Sequence, residues 1–149
     1  MSDSFLCFVP ADPHYVPDDE ATLAAKEMLA SLFPLAESII ATQHLEVSFI
    51  DAGENWDGVR CPICDTDMEP WWSDAMSQVH SNKFSDLIIR TQCCDKNVSL
   101  NELYYIWPVA FAKYVLEVMN PNVVGIEDNA LKKLSQILGC EIKQIIARV

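Results

Sequence analysis

Residues 140–149, Cys140-Glu-Ile-Lys-Gln-Ile-Ile-Ala-Arg-Val149, decide the architecture. Read as a strand, they close a β-β-α-β second half. Read as a helix, they leave that half without its last strand. Ile142, Ile145, Ile146 and Val149 fit helical spacing as well. The β-branched content and the preceding Gly139 favour the strand, which is the reading adopted. Just upstream, Ala130, Leu131, Leu134, Ile137 and Leu138 repeat as one face of an amphipathic helix that Gly139 stops. Before that helix, Trp107 to Met119 reads as a long strand ended by Asn120-Pro121-Asn122. Its Lys113 and Glu117 share a face with Phe111 and Val115.

The first half reads as β-α-β. Phe5 to Val9 is a short apolar run ended by Pro10, the mark of a buried strand. Pro10, Pro13 and Pro17 make a stiff connector. Asp18 or Asp19 then caps a helix whose buried face carries Ala21, Ala24, Ala25, Met28, Leu29 and Leu32. Pro34 ends or kinks it, and residues 35–41 are expected to add a further helical turn or two. His44 to Ile50 alternates, with Leu45, Val47 and Phe49 on one face of a strand. Between the halves lie the polar loop Asp51 to Gly58, a short helix over Glu69 to Ser81 begun at Pro70, and a strand over Asp86 to Thr91. The chain therefore reads as a single α+β domain over 1–149. The expected plan is a ferredoxin-like β-α-β-β-α-β sheet with helices on one face, and residues 58–98 form a metal-binding insertion. No internal repeat is evident.

Within that insertion, Cys61-Pro62-Ile63-Cys64 is a C-x-x-C turn that offers two thiolates to one ion. Cys93-Cys94 follows after a gap longer than zinc ribbons use, and the helix around Trp71 and Trp72 accounts for the extra length. Adjacent residues of an extended strand point to opposite faces, so both sulfurs reach one ion only if the chain turns there. Cys93-Cys94-Asp95-Lys96-Asn97 has turn composition. Were the backbone extended, one of the two cysteines would bind, and His80 or an acidic residue would replace the other. Arg60, Arg90 and Lys96 are placed to offset the charge of four thiolates on zinc. A redox C-x-x-C, an iron–sulfur cluster and four metal-free structural thiols are the competing readings. Asp65, Asp67 and Glu69 disfavour a reactive thiolate, and zinc is the default for paired cysteines. The expected ligands of a structural zinc ion are Cys61, Cys64, Cys93 and Cys94. Cys7 and Cys140, in apolar predicted strands, read as core residues.

Composition narrows the function. Half of the 149 residues are hydrophobic and the formal net charge is −12. Such a surface repels phosphate backbones and anionic lipid, so neither nucleic acid nor membrane is the expected partner, whereas a basic protein is. The N-terminus lacks the basic region of a signal peptide, and no apolar run is long enough to span a bilayer. A cytoplasmic location with reduced thiols is expected. His14, His44 and His80 are scattered and form no H-E-x-x-H motif. No G-x-S-x-G elbow is present. Asp51, Glu54 and Asp57 are read as a solvated loop before an acid–base or cation site. Trp71-Trp72 reads as a cover for the insertion's apolar underside.

The C-P-I-C pair, the C-C pair and Ser99-Leu-Asn-Glu-Leu-Tyr-Tyr-Ile-Trp-Pro-Val-Ala-Phe-Ala112 together give a fairly specific pattern. It resembles an uncharacterised bacterial family carrying C-P-x-C, a later C-C and S-L-N-x-L-x-Y-x-W-P-x-x-F-A, over about the C-terminal two-thirds of the chain. Members of that family are often labelled sugar-transporter ATPases. The four glycines here build no phosphate-cradling G-x-x-x-x-G-K-[S/T] loop, so the label has no support in these residues. Gly usually follows the second pair in that family, whereas Asp95 does here. The function expected is a zinc-stabilised, non-catalytic binding module with an acidic surface for a protein partner, one version being an inhibitor of a basic toxin. The alternative is a small zinc- or thiol-dependent enzyme.

Overall fold

The apolar run that ends at Pro10 forms strand β1 (Ser4–Pro10). The computed structural model that contains it describes residues 3–123 and 125–149. Phe8 and Val9 are fully buried, as central-strand residues must be when both faces are covered. Seven further strands follow: β2 (Ser38–Ile50), β3 (Val59–Arg60), β4 (Ile88–Arg90), β5 (Asn97–Ser99), β6 (Tyr104–Tyr105), β7 (Ala110–Met119) and β8 (Ile142–Arg148). The main sheet has the order β2-β7-β1-β8, and every neighbouring pair is antiparallel. Residues 142–148 thus form a strand, laid along β1 from Ser4↔Arg148 to Pro10↔Ile142.

Helix α1 (Asp19–Leu32) begins where the sequence expects it. The Asp18 carboxylate accepts the Ala21 N–H at 2.7 Å and satisfies one of the orphan donors of the first turn. Its buried stripe is narrower than the periodicity implies. Ala25 and Leu29 are buried, Ala24 and Leu32 are exposed, and Phe33 just past the helix fills the core instead. Helix α3 (Asp128–Leu138) buries Leu134 and Leu138 in the same cluster as α1, together with Leu6, Phe8, Leu116 and Val118. Both helices therefore lie on one face of the sheet. Gly139 ends α3 at φ +79, the left-handed conformation that a C-cap glycine takes. Cys7, Val9, Val115 and Ile145, of opposite parity, form a smaller apolar cluster on the other face.

The structure corrects the reading of β2. Residues 38–41 are not a helical extension: they pair with β7 from Ser38↔Met119 onward. Ser38-Ile-Ile-Ala-Thr is rich in β-branched residues, and the exposed edge of β7 gives it a ladder. The ladder breaks between Gln43↔Tyr114 and Ser48↔Ala112, so residues 44–47 stand opposite Lys113 alone. A bulge of this kind resets which side chains face the core. Val47 is 4% exposed while Leu45 is 97% exposed, although simple alternation puts them on one face. At its other end β7 starts at Ala110 rather than Trp107, since Pro108 has no N–H for a ladder.

Residues 51–109, between β2 and β7, hold helix α2 (Glu69–His80) and two small antiparallel ladders, β3–β6 and β4–β5. They bury their own apolar cluster around Val59, Met68, Leu100 and Val109, into which Phe111 of β7 projects. The start of β7 makes the join: Phe111 packs in this cluster, and Ala110 and Ala112 pack in the smaller one with Cys7, Val9 and Val115. Trp72 of α2 lies 4.8 Å from the Trp56 ring and donates its indole N–H to the Tyr105 hydroxyl at 3.3 Å. The Trp56 indole N–H in turn donates to Glu69 at 3.1 Å. Trp71 and Trp72 are both half-buried against this cluster, the packing role that the sequence favours. Among the described residues, no helix is long and apolar enough to cross a membrane.

Candidate metal centre

The first cysteine turn follows directly from β3. The Cys61 N–H donates to the Thr66 carbonyl at 2.9 Å, and the Asp65 N–H donates to the Cys61 carbonyl at 3.0 Å. Asp65 closes the turn in the left-handed region, at φ 60. Asp is among the few non-glycine residues that tolerate that region. The Arg60 guanidinium grips Asp65 through its carboxylate, at 2.9 Å, and through its backbone carbonyl.

The second turn, after β4, repeats both backbone bonds. The Thr91 N–H donates to the Lys96 carbonyl at 2.8 Å, and the Asp95 N–H donates to the Thr91 carbonyl at 2.9 Å. Asp95 sits at φ 57, and Arg90 binds both of its carboxylate oxygens. Position by position, Arg90 matches Arg60, Thr91 matches Cys61, Cys94 matches Cys64 and Asp95 matches Asp65. The site is thus a pair of related turns, although the sequence shows no evident repeat. R-x-x-x-C-D recurs at residues 60–65 and 90–95, and that recurrence is the signal that was there to read. The match also explains Asp95 where a glycine was expected. With φ positive, Gly, Asn or Asp can hold the turn, and the Arg90 ion pair secures it.

The two turns bring four sulfurs together. Sγ of Cys61 lies 3.8 Å from that of Cys94, and Sγ of Cys64 lies 3.3 Å from that of Cys93. All four lie within 4.8 Å of one another, and among the described residues no other group of His, Cys, Asp or Glu ligand atoms is so arranged. Thiolates bound tetrahedrally to zinc at about 2.3 Å stand about 3.8 Å apart. A disulfide needs about 2.05 Å, so all six cysteines are free thiols. Cys93 and Cys94 can both point inward because residues 92–94 form a turn, as the sequence requires of this pair. Cys93 takes the third position of its turn, where the first turn has Ile63.

Neighbouring groups prepare the sulfurs for charge. The Thr91 hydroxyl, on a residue 2% exposed, accepts the Lys96 N–H at 2.9 Å and lies 3.1 Å from Sγ of Cys94. With its acceptor role taken, its proton can point at that sulfur. The Thr66 hydroxyl is 3.2 Å from Sγ of Cys64. The hydroxyl and backbone N–H of Thr66 hold the Cys64 thiol down at about 6. Burial and its contact with Cys64 push the Cys93 thiol up to about 12. One proton of the closest pair is thus lost easily and the other is retained. Metal binding would displace both, since only thiolates ligate.

Other expected participants lie elsewhere. Arg60 and Arg90 are engaged by Asp65 and Asp95, so they brace the turns instead of facing the sulfurs. His80 packs edge-on against the Phe84 ring, 5.3 Å between centroids, and the His14 ring meets the Ser85 carbonyl at 3.1 Å. Asp51 accepts the Gly53 N–H at 2.8 Å, and the Glu54 N–H donates to the Arg148 carbonyl at 2.7 Å. That acidic loop buttresses the end of β8. Cys7 is buried in the sheet, and burial pushes its thiol up to about 12. Compared with models of known protein families, with curated proteins and with solved structures, the chain finds no match in any of them.

Proposed function

We infer that this chain is a zinc-stabilised, non-catalytic binding module, a ferredoxin-like sheet carrying a zinc-ribbon-like insertion. The observation that carries the reading is the convergence of four cysteine sulfurs from two matched turns to within 4.8 Å. Four thiolates fill a tetrahedral zinc ion and leave no position for substrate or water, which is the arrangement of structural sites. Soft sulfur ligands without an imidazole or carboxylate favour zinc over magnesium, calcium or manganese. The sheet order β2-β7-β1-β8 with two helices on one face supports the ferredoxin-like assignment. The net charge of −12 supports a basic protein as partner in the cytoplasm, and argues against nucleic acid.

Metal content of the purified chain by mass spectrometry, with thiol reactivity counted before and after chelation, tests the metal. One zinc per chain protecting four thiols is the expected result. Partner binding is tested by retention on the immobilised chain at low and high salt. The reading requires a basic protein that salt releases, and no retention at low salt contradicts it. A small zinc- or thiol-dependent enzyme is the second reading, favoured by the exposed Cys64 with its lowered thiol. Three sulfurs plus one water on the metal would support it.

A further inference from the structure

The four sulfurs fall into two closest pairs, Cys61 with Cys94 and Cys64 with Cys93. Cys61 is 2% exposed and lies 3.8 Å from Cys94, whereas Cys64 is exposed and faces Cys93 across the two turns at 3.3 Å, Cys93 and Cys94 being alike half-buried. The Cys64–Cys93 pair exists because the second turn carries its extra cysteine at the third position. The matching residue of the first turn, Ile63, is 55% exposed, whereas Cys93 is half-buried against the other sulfurs. Thr91 occupies the position where a symmetric site would have a buried sulfur.

We propose that Cys64 and Cys93 are a peroxide-responsive pair whose oxidation to a disulfide releases the metal; this rests on the metal-centre reading above. Sulfur of Cys64 attacks one oxygen of hydrogen peroxide, breaks the O–O bond and becomes a sulfenic acid, with hydroxide leaving. Sulfur of Cys93 then displaces the hydroxyl group from Cys64 and the S–S bond forms. The two sulfurs give up two electrons, the peroxide takes them, and with protons from solvent it leaves as two waters. Cys61 and Cys94 remain as the only two sulfur ligands, too few to retain the ion. Closing the bond brings the sulfurs from 3.3 Å, or from about 3.8 Å around a metal ion, to the disulfide length of about 2.05 Å. The turns that must move are anchored by ladders of two and three residues per strand. The neighbouring Cys93 and Cys94 are a poor alternative. Adjacent Cα atoms stand about 3.8 Å apart, below the roughly 4.4–6.8 Å that disulfides span.

The test titrates the zinc-loaded full chain with hydrogen peroxide and follows metal release with a chromogenic chelator. In parallel, trypsin digests the unreduced protein after Arg60, Lys83, Arg90 and Lys96. Peptides 61–83 and 91–96 should become joined in step with metal release, and fragmentation should place the bond between Cys64 and Cys93. Dithiothreitol should restore both thiols and metal binding. Metal release with the bond between Cys61 and Cys94, or with sulfinic acid on Cys64 and no cross-link, overturns the proposal. A Cys64–Cys93 bond in a chain that takes up no metal overturns the metal centre instead.

Discussion

Replacing Thr91 by Val is the sharpest probe of the second turn. The change is nearly isosteric at a residue 2% exposed, so it removes a hydroxyl without opening a cavity. Two interactions go with it. The Lys96 N–H loses its acceptor at 2.9 Å, and Sγ of Cys94 loses a neighbour at 3.1 Å. An unsatisfied N–H in a partly buried turn costs about 1–3 kcal/mol. Losing a group that orients and hydrogen-bonds a metal ligand lowers metal affinity about 10–100-fold, equivalent to about 1.4–2.7 kcal/mol. Thr91→Ser keeps the hydroxyl and should restore most of both. Competition against a chromophoric chelator reads the affinity, and thermal melts of the metal-free chain read the backbone cost separately. If Thr91→Val binds zinc as tightly as the parent, the hydroxyl does not serve Cys94 and the matched-turn account of the site is wrong.

Further outcomes follow from other parts of the molecule. In the metal-free chain, Cys64 should be the first thiol alkylated, with a rate that falls as pH drops through about 6, because the thiolate is the reactive form; equal rates at Cys64 and Cys93, read by peptide mapping, would contradict this. Gly53→Ala should destabilise strongly, since the new Cβ would lie 2.2 Å from the Arg148 carbonyl oxygen at φ +59, and an unchanged melting temperature would remove the loop 51–55 from its place against β8. Asp18→Ala should cost about 1 kcal/mol in denaturant titrations through loss of the α1 cap. Leu134→Ala, in the fully buried face of α3, should cost about 2–5 kcal/mol.

The elements legible in the sequence are those whose patterns are local. Gly139 and the Leu134/Leu138 spacing mark α3, Asp18 marks the start of α1, and the β-branched Ile142, Ile145 and Ile146 mark β8. Paired cysteines likewise announce the cluster, because turn chemistry and ligand type lie in a few adjacent residues. What escaped depends on partners distant in sequence. Ser38 to Gln43 is a strand because β7 offers it a ladder more than seventy residues later, and Leu45 is exposed because a bulge opposite Lys113 ejects it. The relation between the two turns was hidden by Thr91. A search keyed on cysteine sees C-x-x-C beside C-C, whereas the conserved geometry resides in the Arg, the fourth-position Cys and the left-handed Asp. The sequence places the arginines as counter-charges to the sulfurs, but each has a carboxylate five residues away that the turn brings within hydrogen-bonding reach.

X-ray absorption at the zinc edge of the purified, metal-loaded chain tests the centre most directly. Four sulfur neighbours at about 2.3 Å, with no oxygen or nitrogen in the shell, is the predicted spectrum. Three or fewer sulfurs with a light-atom ligand, or a chain that holds no zinc while its four thiols react freely, would contradict it.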